Sequence, residues 1–381
     1  MTYIHELADW PNFSFRLEAL ANPLTEARHK EGLLLGRTRA LDPPLRAEAA
    51  IETLTLELVK SSAIEGETVD AAKTRAALAQ RLGLSSGAPK PSDRVVESLV
   101  DMTLDATRGY AEPLSEKRLQ GWRAALFPSG HSGARPIAVG AWRDRSAGPM
   151  RVVSGPYGHE KIHFEAPDAE RLSAEMEKFL TWLNQEPTQG SHLPDLDPIL
   201  KAGIAHFWFV TIHPFEDGNG RLARVITDYA LARADQSPAR FYSLSAQIER
   251  ERKDYYDILD ESQRGGLDIT PWLAWFLGCL GRSIERAEKT LSALWRKARV
   301  WRKANQYPIN ERQRLVLTRL LGDFVGQFSA GKYAKLAKCS PDTALSDLRE
   351  LLEFGLIKRS EAGGRSNSYE LTISLTETFG E

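Results

Sequence analysis

Between Asp197 and Ile212 the chain reads DPILKAGIAHFWFVTI, apolar on nearly every face of a helix, and Pro214 follows two residues later. A helix with no polar side cannot lie on a surface, so it must run through the middle of a domain with other elements packed around it. Proline cannot continue it. The surrounding layers read as amphipathic helices: Arg46 to Ile64, two more between residues 90 and 127, Glu170 to Leu183, Arg221 to Ala234, Gln247 to Leu259, and Thr270 to about Lys303. Strand-forming sequence is confined to two places. Pro128 to Gly158 is rich in Gly and Pro, with fragments RPIAVGAW and MRVVSG, and predicts a loop with a β-hairpin. GLIKRSEAGGRSNSYEL predicts two short strands around a Gly-rich tip. The fold class is mainly α.

The start of the chain holds Trp10, Phe13 and Phe15 and continues into EARHKEGLLLGR, a short helical element that must pack on the helices after it. From about Asn305, helical segments at 310–323, 331–337 and 341–354 lead into the C-terminal hairpin, which is a winged-helix order. The expected division is an N-terminal helical region over 1–85, a helical core over 86–290 and a winged helix over 305–375. With 42% hydrophobic and 27% charged residues the chain is of ordinary globular composition. Its net charge of −1 provides no global field for nucleic acid or an anionic membrane, so such binding would need a local patch. Cys279 and Cys339 have no metal-ligand spacing and suit a reducing compartment. The N-terminus lacks the pattern of a signal peptide, and no apolar run is long enough to span a bilayer, so the reading is cytoplasmic.

The central helix runs straight into HPFEDGNGRLAR, His213 to Arg224. His213 titrates near neutral pH and can serve as a base. Asp217 can hold Mg²⁺, which takes only one or two protein carboxylates. Gly218, Asn219 and Gly220 open the next helix and can turn backbone N–H groups towards an anion. Arg221 and Arg224 share a face at i and i+3 and match a di- or triphosphate. Each part has a duller explanation: a helix-capping histidine, an Asn-Gly turn, a solvated arginine face. Phe215 reads as a core plug and Glu216 as solvent-facing. Their coincidence within twelve residues points to nucleotide chemistry.

The twelve residues match the H-x-F-x-[D/E]-G-N-G-R-x-x-R signature of the Fic (Fic/Doc) family, and the helical body from about residue 45 to 280 resembles a Fic core with its hairpin flap. The resemblance implies transfer of AMP from ATP to a Ser, Thr or Tyr hydroxyl of a protein, which can be the chain itself. His213 would be the base, Asp217 the Mg²⁺ ligand, Gly218, Asn219, Gly220 and Arg221 the phosphate cradle, and Arg224 the γ-phosphate partner. Relatives that phosphorylate instead look different at the second motif glycine, so Gly220 favours AMP transfer. SSAIEG at Ser61 to Gly66 is similar to the family's inhibitory motif. It implies that Glu65, on one helix face with Ser61, pairs with Arg224 and holds the enzyme off. In some relatives the same glutamate positions water to remove AMP. RKDYYDIL resembles the segment that closes over adenosine, which makes Tyr255 and Tyr256 candidate base and ribose contacts, with Gln263 nearby. The hairpin near Met150 to Val153 is similar in location to the flap that aligns the target by strand addition.

A rival class is a DNA-binding regulator acting through the winged helix. The candidate recognition helix from Ser340 to Phe354 carries Asp342, Asp347, Glu350 and Glu353 against Arg349 alone, a poor face for phosphate. The wing offers Lys358, Arg359 and Arg365, and RKARVWRK at Arg296 to Lys303 reads as solvated charge on a linking helix. A supporting role in protein contact or in a homodimer fits that face better.

Overall fold

The computed structural model describes residues 2–84, 93–133, 135–154, 161–185, 196–321, 328–360 and 368–372. The chain divides into two compact units, Met1–Gly36 with Ala50–Ala287, and Arg37–Ala49 with Glu288–Glu381.

In chain order the helices of the larger unit are α1 (Leu17–Arg39), α2 (Pro43–Ile64), α3 (Ala71–Arg81), α4 (Arg94–Arg108), α5 (Glu116–Leu126), α6 (Leu172–Asn184), α7 (Pro198–Ile212), α8 (Asn219–Ala234), α9 (Leu244–Arg250), α10 (Arg252–Gln263) and α11 (Thr270–Ala304), with α1, α2 and α11 continuing into the second unit. α7 is the apolar helix of the sequence, buried from Ile199 to Ile212 except at Lys201, and capped at its start by Asp197. It packs along α8, with α6 on another side. The N-terminal aromatics close a further flank: Trp10 and Phe13 meet Trp208 edge-on, and the Trp10 indole donates to Glu175 at 2.8 Å.

Three expectations change. α1 is 23 residues long and runs through Pro23, where the sequence suggests only a shorter element after it. The segment from Gln247 to Leu259 is two helices that meet at Glu251. The hairpin is formed by β3 (Arg151–Ser154) with β4 (Lys161–Glu165), antiparallel with an irregularity between Val152 and Val153, and its turn lies outside the described residues, as does Gly158. RPIAVGAW contributes only Arg135–Pro136, which forms β2 against β1 (His131–Ser132). No helix among the described residues is long and apolar enough to cross a membrane.

The second unit adds α12 (Glu311–Leu320), β5 (Phe328–Ser329), α13 (Ala330–Ala337), α14 (Pro341–Glu353), β6 (Ile357–Arg359) and β7 (Ser368–Leu371). Its sheet has the order β5-β7-β6, all antiparallel, over a core that includes Val316, Tyr333, Leu348 and Tyr369. Two of the acids read as an exposed face are turned inward. Asp347 is buried and accepts from Asn310 Nδ2 at 2.8 Å, Arg312 Nε at 2.8 Å and the Tyr333 hydroxyl at 2.9 Å, and Glu350 accepts from Gln313 at 2.8 Å. The basic run is also engaged at its end: Arg302 donates to the Ala40 carbonyl and Lys303 to that of Gly355, both at 2.7 Å. Arg365 lies outside the described residues.

Candidate active site

The site is built where α7 stops and α8 starts. His213 is the C-cap of α7 with φ 51° and ψ 57°, a left-handed conformation that a non-glycine residue holds only when its surroundings fix it. Arg143 supplies that fixation. Its Nε donates to the His213 carbonyl at 2.9 Å, its amide donates to the Pro214 carbonyl at 2.9 Å, and its Nη2 reaches the Pro167 carbonyl. The half-buried His213 ring has its Nδ1 3.2 Å from the Val210 carbonyl. Burial pushes its pKa down to about 4, assisted by the Arg143 charge and only partly opposed by the Val210 hydrogen bond. At neutral pH the imidazole is an uncharged base.

The loop between the helices is pinned on itself. Asn219 is buried, and its amide side chain donates to the Phe215 carbonyl at 2.8 Å and accepts from the Phe215 amide at 3.0 Å. Its side chain is therefore a brace, so any anion binding at this turn would fall to backbone groups. Phe215 is the core plug that its position suggests, tilted against Trp142 and covered by the Arg123 guanidinium at 4.4 Å. Gly218 has φ 84°, and a Cβ there would come within 2.9 Å of the Phe127 ring, so conformation and space both require glycine.

Asp217 is 43% exposed and leaves lone pairs open, although Oδ2 accepts from the Ser132 hydroxyl and Oδ1 from the Gly218 amide. Among the described residues no group of three or more His, Cys, Asp or Glu could hold a metal. One open carboxylate beside a phosphate cradle suits Mg²⁺, which keeps most of its shell for water and phosphate oxygens.

Arg221 and Arg224 are not a solvated face. They are 5% and 2% exposed, and Leu222, Val225 and Ile226 bury the inner side of the same helix. Arg224 donates from Nε to the Ser61 hydroxyl at 2.9 Å and from Nη2 to the Ser61 carbonyl at 2.8 Å and Glu65 Oε1 at 2.9 Å. Arg221 Nε and Arg224 Nη1 have no hydrogen-bond partner among the described residues, which leaves buried donors available to an anion. The Glu65 carboxylate sits over Gly220, with Oε1 only 2.3 Å from where a Cβ would stand.

The other candidates separate. Tyr255 is buried, its hydroxyl 2.9 Å from His206 Nε2 and its ring tilted on Trp272 and Trp275, so it is part of the interior beneath the site. Tyr256 is exposed, with the Arg252 guanidinium 5.7 Å from its ring. Gln263 is buried and donates to Thr211 at 3.2 Å. Glu216 is not solvent-facing: it accepts from the Ala138 amide at 3.3 Å and lies 3.9 Å from Arg123. Four residues that the sequence pattern does not single out complete the site: Arg123, whose Nη1 donates to the Asp217 carbonyl, Arg143, Ser132 and Glu67.

The profile of the Fic/DOC family matches residues 113–231, which contain this whole loop and both arginines. Those residues are a Fic/DOC domain. A second profile, described as a domain of unknown function, DUF4172, matches residues 3–84 ahead of the Fic domain. Curated relatives include proteins named protein adenylyltransferase Fic from Nematostella vectensis, 28% identical over 236 residues (59% of this chain, 46% of the relative), and from Culex quinquefasciatus, 29% identical over 278 residues (71% and 48%). The chain spans about half the length of the curated relatives it matches. The solved structure of a Fic family protein from Desulfovibrio desulfuricans G20 superposes with a TM-score of 0.53 at 22% identity, covering 95% of this chain and 98% of that one, which establishes a shared fold.

Proposed function

We propose that this chain transfers AMP from ATP to a hydroxyl of a protein and rests in an autoinhibited state. The observation that carries the reading is the single site in which an uncharged base, an open carboxylate and two buried guanidinium groups meet at the start of α8. His213 takes the proton of the target hydroxyl as its oxygen bonds to the α-phosphorus, while the bond from that phosphorus to the bridging oxygen breaks and pyrophosphate leaves. Backbone groups of Gly218 to Gly220 and the guanidinium of Arg221 bind the phosphates, and Arg224 holds the γ-phosphate. Asp217 would hold Mg²⁺, which supplies charge neutralisation for the phosphates. Tyr256 contacts the nucleoside from the surface of α10, and Tyr255 supports it from below. Val153 and Ile162, paired across the hairpin and both exposed, offer apolar grip to an extended target segment. The names of the curated relatives support a protein adenylyltransferase, and the two free cysteines suit the cytoplasmic reading.

Autoinhibition follows from Glu65, which occupies the Nη2 of Arg224 that a γ-phosphate needs. Intact-mass measurement after incubation with ATP and Mg²⁺ tests both claims: Glu65→Gly gains additions of one AMP over wild type, and His213→Ala in that background loses them. No gain in Glu65→Gly removes the inhibition claim. Removal of AMP by a water that Glu65 orients is the runner-up for the same site, and is read from loss of label on a modified target.

A second reading concerns the smaller unit, which we infer to be a winged helix because its order of helix, strand, helix, helix, strand, strand supports that reading. It carries 19 Lys and Arg against 13 Asp and Glu, net +6, while the larger unit is −7. With Asp347 and Glu350 turned inward, exposed α14 presents Asp342, Ser346, Arg349 and Glu353, and α13 adds exposed Lys332 and Lys335. This balance favours a nucleic-acid contact more than the sequence alone does. Anisotropy of a labelled duplex should rise at low salt and lose that rise in Lys332→Ala/Lys335→Ala.

A further inference from the structure

We infer that Glu67 is a second inhibitory residue, so that the resting state is locked by two carboxylates and both arginines of the site are occupied. The inference rests on the AMP-transfer reading above and extends it to a residue outside the resemblance. It begins with the way α2 ends. The Glu67 amide donates to the Ser62 carbonyl and the Gly66 amide to the Ala63 carbonyl, both at 3.0 Å, with Gly66 at φ 82°. This pair of bonds around a left-handed glycine is the Schellman ending of a helix, and it reverses the chain within one turn. A Cβ on Gly66 would meet nothing within 4 Å, so the glycine is required by conformation alone. The reversal places two carboxylates, two residues apart, on two guanidinium groups three residues apart in α8. Glu65 takes Arg224 at 2.9 Å, and Glu67 Oε2 accepts from Arg221 Nη1.

Charge at a helix C-terminus is unfavourable for a carboxylate, yet both of these stand at the start of α8, where negative charge is favoured. They hold one terminal nitrogen of each guanidinium with an anion from the same chain, while Arg221 Nε and Arg224 Nη1 stay open among the described residues. Arg221 has little freedom to seek other partners, since it is 5% exposed and stacked 4.9 Å from the Phe127 ring. Removing Glu65 alone therefore leaves Arg221 clamped. The two contacts differ in exposure: the Glu65 side chain is 30% exposed and that of Glu67 is 48% exposed. Glu67 is the outer half of the lock, weakened by salt, and Glu65 the inner half.

The test uses the full chain as wild type, Glu67→Gln, Glu65→Gly and the double variant. ATP binding with Mg²⁺ is measured by calorimetry, and AMP incorporation by intact mass. Glu67→Gln should bind ATP about 3- to 10-fold more tightly than wild type, and the double variant should exceed Glu65→Gly by a similar factor. Raising salt from about 0.05 M to about 0.5 M should narrow the difference between wild type and Glu67→Gln. Glu67→Asp, which keeps the charge, should stay closer to wild type than Glu67→Gln does. Equal ATP affinity in wild type and Glu67→Gln, together with equal affinity in Glu65→Gly and the double variant, overturns the inference. If the variants bind ATP in the expected order and none transfers AMP, the lock stands and the transfer reading fails. If none binds ATP, both fall.

Discussion

Replacing Glu65 with Gln keeps the size of the side chain and removes the charge that faces Arg224. Arg224 is 2% exposed and would then hold only neutral acceptors: the Ser61 hydroxyl at 2.9 Å, the Ser61 carbonyl at 2.8 Å and the new amide oxygen. Breaking a fully buried ion pair costs about 3–5 kcal/mol, and losing an exposed one costs about 1 kcal/mol or less. With Glu65 30% exposed, the loss falls between these limits, at about 1.5–2.5 kcal/mol. A unit of this size shifts by about 2–4 °C per kcal/mol, so the melting temperature without nucleotide should drop by about 3–10 °C. If ATP must displace Glu65 to reach Arg224, the same energy is subtracted from its binding to wild type, which weakens that binding by about 10- to 70-fold. Melting curves at increasing ATP with Mg²⁺ should therefore start apart and converge as both proteins saturate. A constant offset at every ATP concentration would mean that Glu65 stabilises the fold without competing with the nucleotide, and the inhibitory role would be lost.

Asn219→Ala strands the buried amide and carbonyl of Phe215, which should cost about 2–4 kcal/mol in urea unfolding and depress kcat in the Glu65→Gly background. Burial lowers His206 to about 3 and His213 to about 4, both below their ordinary 6.5, so the unfolded chain binds protons that the folded chain refuses. Stability should accordingly fall as pH drops through the window from 6.5 to about 4, and His206→Gln should flatten that slope in urea midpoints. In the smaller unit, burial tends to raise the Asp347 carboxyl, but hydrogen bonds from Arg312, Asn310 and Tyr333 outweigh it and hold the pKa below its ordinary range. Asp347→Ala should destabilise that unit by about 2–4 kcal/mol, seen as faster amide exchange in α13 and α14, and its contribution in the wild type should be lost only as pH falls below the usual carboxylate range.

Residues that act together inside one short stretch are legible from the order of amino acids alone. His213 to Arg224 is such a stretch, and α7 announces its burial through composition, whereas Ser61 to Gly66 stands out only through its resemblance to the family's inhibitory motif. Residues that join the site from elsewhere leave no local mark. Arg143, Ser132, Arg123 and Glu67 reach their partners across 70, 85, 94 and 154 positions. Periodicity also fails to say which acid on an amphipathic helix meets a partner. Asp347 is buried because Arg312 and Tyr333 lie on other helices, and Glu216 turns inward because Arg123 awaits it on α5. Proline is not a uniform stop signal: α7 ends before Pro214 as expected, yet Pro23 is absorbed within α1.

The bonds from Asn219 to both backbone groups of Phe215 close the stretch between α7 and α8 into a small ring. In the proposed enzyme these bonds would register the base and the cradle to each other without any contact from α2. The moving piece of the proposed switch is then a helix end contributed by a separate stretch of chain, and the catalytic geometry survives either position of it. An enzyme built this way can gain, lose or retune its control through substitutions near residues 61 to 67 without readjusting the chemistry, and a compound that only pries that helix end away would act as an activator.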